Sequence, residues 1–125
     1  MIVAVGVLAV LAALLHVYIF ILESFRWNVP STRRVFGVSA EQATTLAPMA
    51  YNQGFYNLFL AIVTLTGVTF LDSREEVAVA LLLAGTGSML AAAVVLVTHD
   101  KRMMRAALIQ GTLPALTILS LFFAI

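Results

Sequence analysis

Two ionisable side chains interrupt an apolar stretch near the start of the chain. His16 and Glu23 are seven residues apart, so on a helix they share one face and lie about 10 Å apart along its axis. Histidines and carboxylates are the usual proton donors and acceptors in enzymes. Inside a membrane span such groups are costly and normally face a helix bundle or a water-filled cavity. The pair therefore predicts acid–base chemistry, with a water, an amide or a ligand between the two groups.

Further hydrogen-bonding side chains are expected at the same depth, because antiparallel helices would bring their polar ends together. On the second helix Asn52 shares a face with Tyr56, and Gln53 shares a face with Asn57. The candidate catalytic residues are His16, Glu23 and Tyr56. The candidate ligand-binding residues are Tyr18, Trp27, Asn52, Gln53, Asn57 and Gln110.

Each of these residues also has a structural interpretation. His16 would be hydrogen-bonded within the helices, and Glu23 would pair with Arg26 at the interface. The amides would hold helices together, as polar side chains do in membranes. His99 and Asp100 are expected to form a solvated turn. The polar residues remain notable as a group because they concentrate in one predicted layer.

Composition places the chain in lipid. Of its 125 residues 62% are hydrophobic and 10% are charged, against about 25% charged residues in soluble domains. A net charge of +1 argues against a nucleic-acid partner. The chain has no cysteine, which excludes disulfides and Cys-ligated metals. No metal-binding spacing and no phosphate-binding loop is present, so neither a metal nor a cofactor is expected.

Four stretches are long and apolar enough to span a membrane, which takes about 20 residues each. We expect an all-α membrane protein, a single domain over residues 1–125 that folds as an antiparallel four-helix bundle. The predicted helices cover about residues 2–25, 49–71, 77–98 and 106–125. The first lacks a basic leader and a small-residue cleavage site, so we expect it to be retained rather than removed as a signal peptide.

Basic residues predict the orientation. The loops after helices 1 and 3 hold six of the seven Lys and Arg residues, whereas the loop after helix 2 holds only Arg74. Positive loops remain in the cytoplasm. Both termini should therefore be extracytoplasmic, in an inner or plasma membrane.

The loop after helix 1 is the longest connection. Pro30 predicts an extended start, and Ser39 followed by Gln42 is a capping-box pattern. The pattern predicts a short interfacial helix over about residues 40–46. Trp27 and Phe36 are expected at headgroup level, as in aromatic belts.

Four stretches of the chain carry distinctive motifs: residues 13–23 followed by Trp27, then 35–39, 52–61 and 110–115. Together these stretches resemble the motifs of DUF1304, a bacterial family of small membrane proteins. The run Asn-Gln-Gly-x-Tyr-Asn in the third stretch is the most specific. Residues 94–101 fit the family pattern less well. The resemblance implies a four-helix membrane protein and no established activity.

Three functions are compatible with these features. The first is acid–base isomerisation, cyclisation or epoxide opening of a lipophilic small molecule, with Glu23 or His16 as acid or base. The second is a small proton-coupled transporter, which would need a homodimer to enclose a path. The third is a non-catalytic membrane subunit whose polar layer is structural. Whether the protein is an enzyme stays open at this point.

Overall fold

The computed structural model describes all 125 residues and contains helices but no strand. The helices are α1 (Ile2–Phe25), α2 (Pro30–Phe36), α3 (Ala40–Thr69), α4 (Glu75–His99) and α5 (Met104–Ala124). A 3₁₀ turn, Lys101–Met103, leads into α5. The all-α prediction is confirmed, and the first, third and fourth predicted helices end within two residues of α1, α4 and α5.

Three helical segments are long and apolar enough to cross a membrane. They are Ile2–Phe25, Glu75–His99 and Lys101–Ala124. This length and composition fit a multi-pass membrane protein. α3 is longer, at 30 residues, but it carries more polar side chains, so a fourth span stays a prediction.

The first loop differs from the sequence expectation in where its helices lie. Ser39 and Gln42 form the predicted capping box, with hydrogen bonds of 3.1 and 2.9 Å. The helix that it starts is not short, because residues 40–46 are the first turns of α3. Pro48 lies inside α3 without breaking it. Packing on both sides of Pro48 explains the continuity, since Ala43 before it and Ala50 after it lie in one cluster with Trp27.

The short helix of this loop is α2, at residues that were expected to be extended. Val29 is extended, as the residue before a proline should be. Pro30 itself is the first helical residue, where its missing N–H costs nothing. Gly37 ends the helix with φ of 66°, a left-handed conformation that glycine adopts without strain.

The four long helices contact one another in a closed cycle. α1 packs against α3 and α5, and α4 packs against the same two helices. Successive helices run antiparallel. One apolar cluster joins three of the four, through Val5 and Ala9 of α1, Leu82 of α4 and Leu121 of α5.

Gly54 permits the closest approach of α1 and α3. A Cβ atom at this position would lie 3.0 Å from the Phe20 carbonyl oxygen and 3.1 Å from the Ser24 nitrogen, and closer still to the Ser24 hydroxyl. Nearby, the Ser24 hydroxyl donates a 2.9 Å hydrogen bond to the Tyr51 carbonyl. Because Gly54 has no side chain, the end of α1 that carries Glu23 packs directly against α3.

Candidate functional site

A cavity of about 300 Å³ opens between α1, α3, α4 and α5, beneath α2. Most of its lining is apolar. Its polar side chains are His16, Tyr18, Glu23, Gln53, Asn57 and Gln110. The structure therefore brings together six of the residues that the sequence singled out, and it places both ionisable groups of α1 on one cavity.

Glu23 is the buried acid of this cavity, with 8% of its surface exposed. Its Oε1 accepts a hydrogen bond of 2.6 Å from Asn57 Nδ2 on α3. The same amide lies 3.3 Å from the Gln53 carbonyl, one turn earlier in its own helix. One N–H of the Asn57 amide thus donates to the Gln53 carbonyl, which orients the other N–H toward Glu23. The expected ion pair with Arg26 does not form.

His16 lies deeper on the same face and is only 2% exposed. Its Nδ1 is 2.8 Å from the carbonyl oxygen of Ala12, one turn back in α1. A carbonyl can only accept, so Nδ1 carries the proton in this bond. In a neutral ring Nε2 is then the acceptor nitrogen, free to take a proton.

A second cavity, of about 550 Å³, lies on the other side of Glu23. The turn between α1 and α2 lines it together with Ala47 and Tyr51 of α3. Glu23 is the one residue that lines both cavities.

Trp27 belongs to this second cavity and not to the one at His16. It is buried, packs on Phe36 with ring centroids 5.2 Å apart, and donates a 2.9 Å hydrogen bond from Nε1 to the Ala43 carbonyl. Trp27 therefore joins α1, α2 and α3.

Asn52 and Tyr56 lie on a different face of α3 from Gln53 and Asn57. Both are exposed, Tyr56 by 57%, and neither lines either cavity around Glu23. Each residue step on a helix turns the side chain by about 100°, which separates the two pairs. The structure does not bring Tyr56 to Glu23 or His16.

The remaining sequence candidates lie at the edges. Tyr18 lines the cavity although 56% of it is exposed, so it forms part of the rim. His99 is exposed at the end of α4. Hydrogen bonds from Arg102 hold the pKa of Asp100 below its ordinary value, as in a solvated turn. No three His, Asp or Glu side chains are grouped closely enough to hold a metal ion.

Sequence reasoning missed part of the cavity wall. Val35 and Phe36 of α2 line it, as do Met103 of the 3₁₀ turn and Ala106 and Ile109 at the start of α5. Residues 35 and 36 fall within one of the four family-like motifs, which was a signal that they belong with the others. The α5 residues are ordinary apolar types and gave no signal.

Comparison with known proteins adds a family but no activity. One family matches residues 10–122, and its description reads "Protein of unknown function (DUF1304)". No curated protein and no solved structure matches the chain.

Proposed function

Because the chain belongs to the DUF1304 family, whose description assigns no reaction, we propose a function from the geometry around Glu23 and His16. The protein is a four-span bundle in the inner membrane of a bacterium. It carries out an acid–base rearrangement of a lipophilic small molecule, namely isomerisation, cyclisation or epoxide opening, at a site in the cytoplasmic half.

The length and contacts of α3 support a fourth span. Its 30 residues make a helix of about 45 Å, which exceeds the roughly 30 Å of a bilayer core. It packs between α1 and α4, two of the segments that are apolar enough to span. The more basic loops, after α1 and α4, then face the cytoplasm together with the cavity and the α2 helix.

The observation that carries the proposal is the pairing of Glu23 and His16 on one largely apolar cavity. Glu23 is oriented by Asn57, and His16 by its own backbone. Burying ionisable groups in such surroundings is costly. An enzyme retains them because proton transfer by positioned groups accelerates reactions by about 10²–10⁴-fold. A cavity of about 300 Å³ is at the lower end of the usual range for small-molecule sites.

The two groups divide the proton transfers between them. Glu23, in its protonated form, gives a proton to a double bond or an epoxide oxygen, and Nε2 of His16 takes a proton from the other end of the reacting system. The substrate gains and loses one proton, so no redox cofactor is needed. An axial separation of about 10 Å favours reactions whose two proton transfers occur several bonds apart. The side chains of Gln53, Asn57 and Gln110 would orient the substrate.

The second cavity supplies a path for resetting the site. After one turnover the proton must return from His16 to Glu23 or be exchanged with water. Glu23 also lines the cavity beside Trp27, and we infer that water enters through this cavity while product still occupies the first one.

The experiment is solvent-deuterium labelling. Purified protein in liposomes is incubated in D₂O with total lipid from cells that lack the gene, and the products are analysed by mass spectrometry. We expect one lipid species to be converted to an isomer without oxidation. The isomer carries one non-exchangeable deuterium at carbon after isomerisation or cyclisation, or one new hydroxyl group after epoxide opening. Glu23→Gln and His16→Ala should each slow labelling by about 10²-fold or more. Ser88→Ala, on α4 and away from both cavities, serves as the matched control.

Two results would reject the enzyme. Wild-type protein that neither labels a lipid at carbon nor converts one to an isomer excludes acid–base turnover of a membrane molecule. Labelling that survives both Glu23→Gln and His16→Ala excludes the assigned residues.

The position of Glu23 between two cavities also favours a second candidate, a proton-coupled transporter. A carboxyl group reachable from two sides could exchange a proton for a ligand, and a homodimer would complete the path. Proton-driven flux in liposomes that Glu23→Gln abolishes would support transport, whereas a stable monomer without flux would exclude it.

A further inference from the structure

Three arginines converge next to the cavity that His16 and Glu23 line together, which we call the Glu23 cavity. Arg34 of α2, Arg102 of the 3₁₀ turn and Arg105 of α5 line a cavity of about 430 Å³. They come from two loops that are far apart in the sequence. Their neighbours Arg33 and Lys101 do not line this cavity. Membrane orientation requires only that basic residues lie in these loops. It does not require that their side chains meet at one cavity.

Two of the three charges are unpaired. Arg102 is held by Asp100, with Nε and Nη2 donating to the two carboxylate oxygens at 3.1 and 3.0 Å. This is the one salt bridge in the chain, so Arg34 and Arg105 have no acidic partner. Two free guanidinium groups match the charge of a phosphate monoester, which is about −1.5 to −2 at neutral pH. Their planar fork also suits phosphate oxygens.

The arginine cavity and the Glu23 cavity are adjacent. Four residues line both of them: Val35, Met103, Ala106 and Ile109. All four are apolar and form the boundary between the arginines and the cavity that holds His16 and Glu23. A molecule lying across this apolar boundary would place an anionic end on the arginines and a hydrocarbon end beside the acid–base pair.

We propose that the ligand of this protein is a phosphate-bearing hydrocarbon, bound with its phosphate on Arg34 and Arg105 and its chain inside the Glu23 cavity. The proposal names the ligand class of the proposed function and rests on it for the reaction, but binding can be measured without turnover. The same chemistry exists in a dedicated lipid phosphate and in an anionic phospholipid of the bilayer.

Binding of dodecyl phosphate tests the proposal. The full-length protein is placed in phosphatidylcholine nanodiscs, and uptake of radiolabelled dodecyl phosphate is corrected for empty nanodiscs. We expect saturable binding of dodecyl phosphate. Dodecanol and inorganic phosphate should compete with it only weakly. Arg34→Gln and Arg105→Gln should each weaken binding about tenfold, as expected for loss of a hydrogen-bonded charge. Arg105→Lys should retain part of the affinity.

Lys101→Gln is the matched control. It removes one charge from the same turn without touching the cavity, and binding should change by less than about twofold. All of these side chains are largely at the surface, and near-wild-type melting of each variant would show that folding is intact.

The outcomes separate the possibilities. Competition by phosphatidylglycerol at equal concentration assigns the site to bilayer phospholipid, and its failure to compete assigns it to a dedicated lipid phosphate. Dodecanol binding as tightly as dodecyl phosphate, or Lys101→Gln acting like the arginine variants, overturns the proposal.

Deuterium labelling that remains normal in the arginine variants would then leave the enzyme standing without this ligand. Conversely, arginine-dependent binding with labelling that neither Glu23→Gln nor His16→Ala affects would reject the assigned acid–base residues alone.

Discussion

Asn57 on α3 donates a 2.6 Å hydrogen bond to the carboxylate of Glu23 on α1, and the two residues are 34 positions apart in the sequence. This bond links the two helices at the point where both cavities meet. It also orients one oxygen of the proposed acid. The free energy that this bond contributes to folding is one measure of whether the polar residues form a structural layer or a functional site.

Replacing Asn57 by leucine should destabilise the fold. The buried Glu23 would lose its donor, and an unsatisfied polar group of this kind costs about 1–3 kcal/mol. Asn52→Leu is the matched control, because Asn52 is exposed and makes no hydrogen bond through its side chain. Thermal unfolding of the purified proteins in detergent measures both. Equal melting temperatures for the two variants would contradict the role given to Asn57.

Glu23→Gln, alone and combined with Asn57→Leu, extends this test. If the polar layer is only structural, each variant that loses function should also lose stability. A variant such as Glu23→Gln that keeps its melting temperature but loses labelling activity would favour a site.

Two glycines should respond to alanine in opposite directions. At Gly54 the added methyl group would contact the backbone of Phe20 and Ser24 at 3.0–3.1 Å, so α1 and α3 must separate, at a cost of about 1–3 kcal/mol. At Gly87 a Cβ atom meets nothing within 4 Å, and alanine should stabilise the helix by up to about 1 kcal/mol. Melting temperatures shifted in the same direction would refute the close contact at Gly54.

The single tryptophan reports on the junction of α1, α2 and α3. Trp27 is buried and hydrogen-bonded to Ala43, so its emission should be blue-shifted and weakly quenched by acrylamide. The comparison protein carries Trp27→Phe together with Ser73→Trp, which moves the indole to the exposed turn after α3. Equal quenching of the two proteins would show that Trp27 is not sealed at this junction.

Cysteine labelling tests whether α3 crosses the membrane. The chain has no cysteine, so Ser31→Cys in α2 and Ser73→Cys after α3 each introduce a single thiol at an exposed position. If the chain has four spans, an impermeant maleimide should label the Ser73→Cys variant in intact cells. It should label the Ser31→Cys variant only in inverted vesicles. Labelling of both from the same side would exclude a spanning α3.

Local sequence signals predicted the elements well where local chemistry decides them. The Ser39 capping box and three of the predicted helices appear as expected. The second helix starts at Ala40 because Pro48 is tolerated inside it, and tolerance depends on contacts with Trp27 that no local pattern reveals. The same limit applies to α2, since Pro30 is compatible with either an extended segment or a helix start.

By itself, the sequence determined that the chain is helical and membrane-like, and that His16 and Glu23 share a face. These follow from composition, length and helical periodicity, which are properties of each segment alone. Only the tertiary structure decided that Asn57, and not Tyr56, meets Glu23, that Trp27 is buried, and that α2 covers the cavity. The physical reason is that lipid and protein interior are both apolar, so a spanning helix has no strong hydrophobic stripe to fix its rotation. Close packing at positions such as Gly54 fixes it instead.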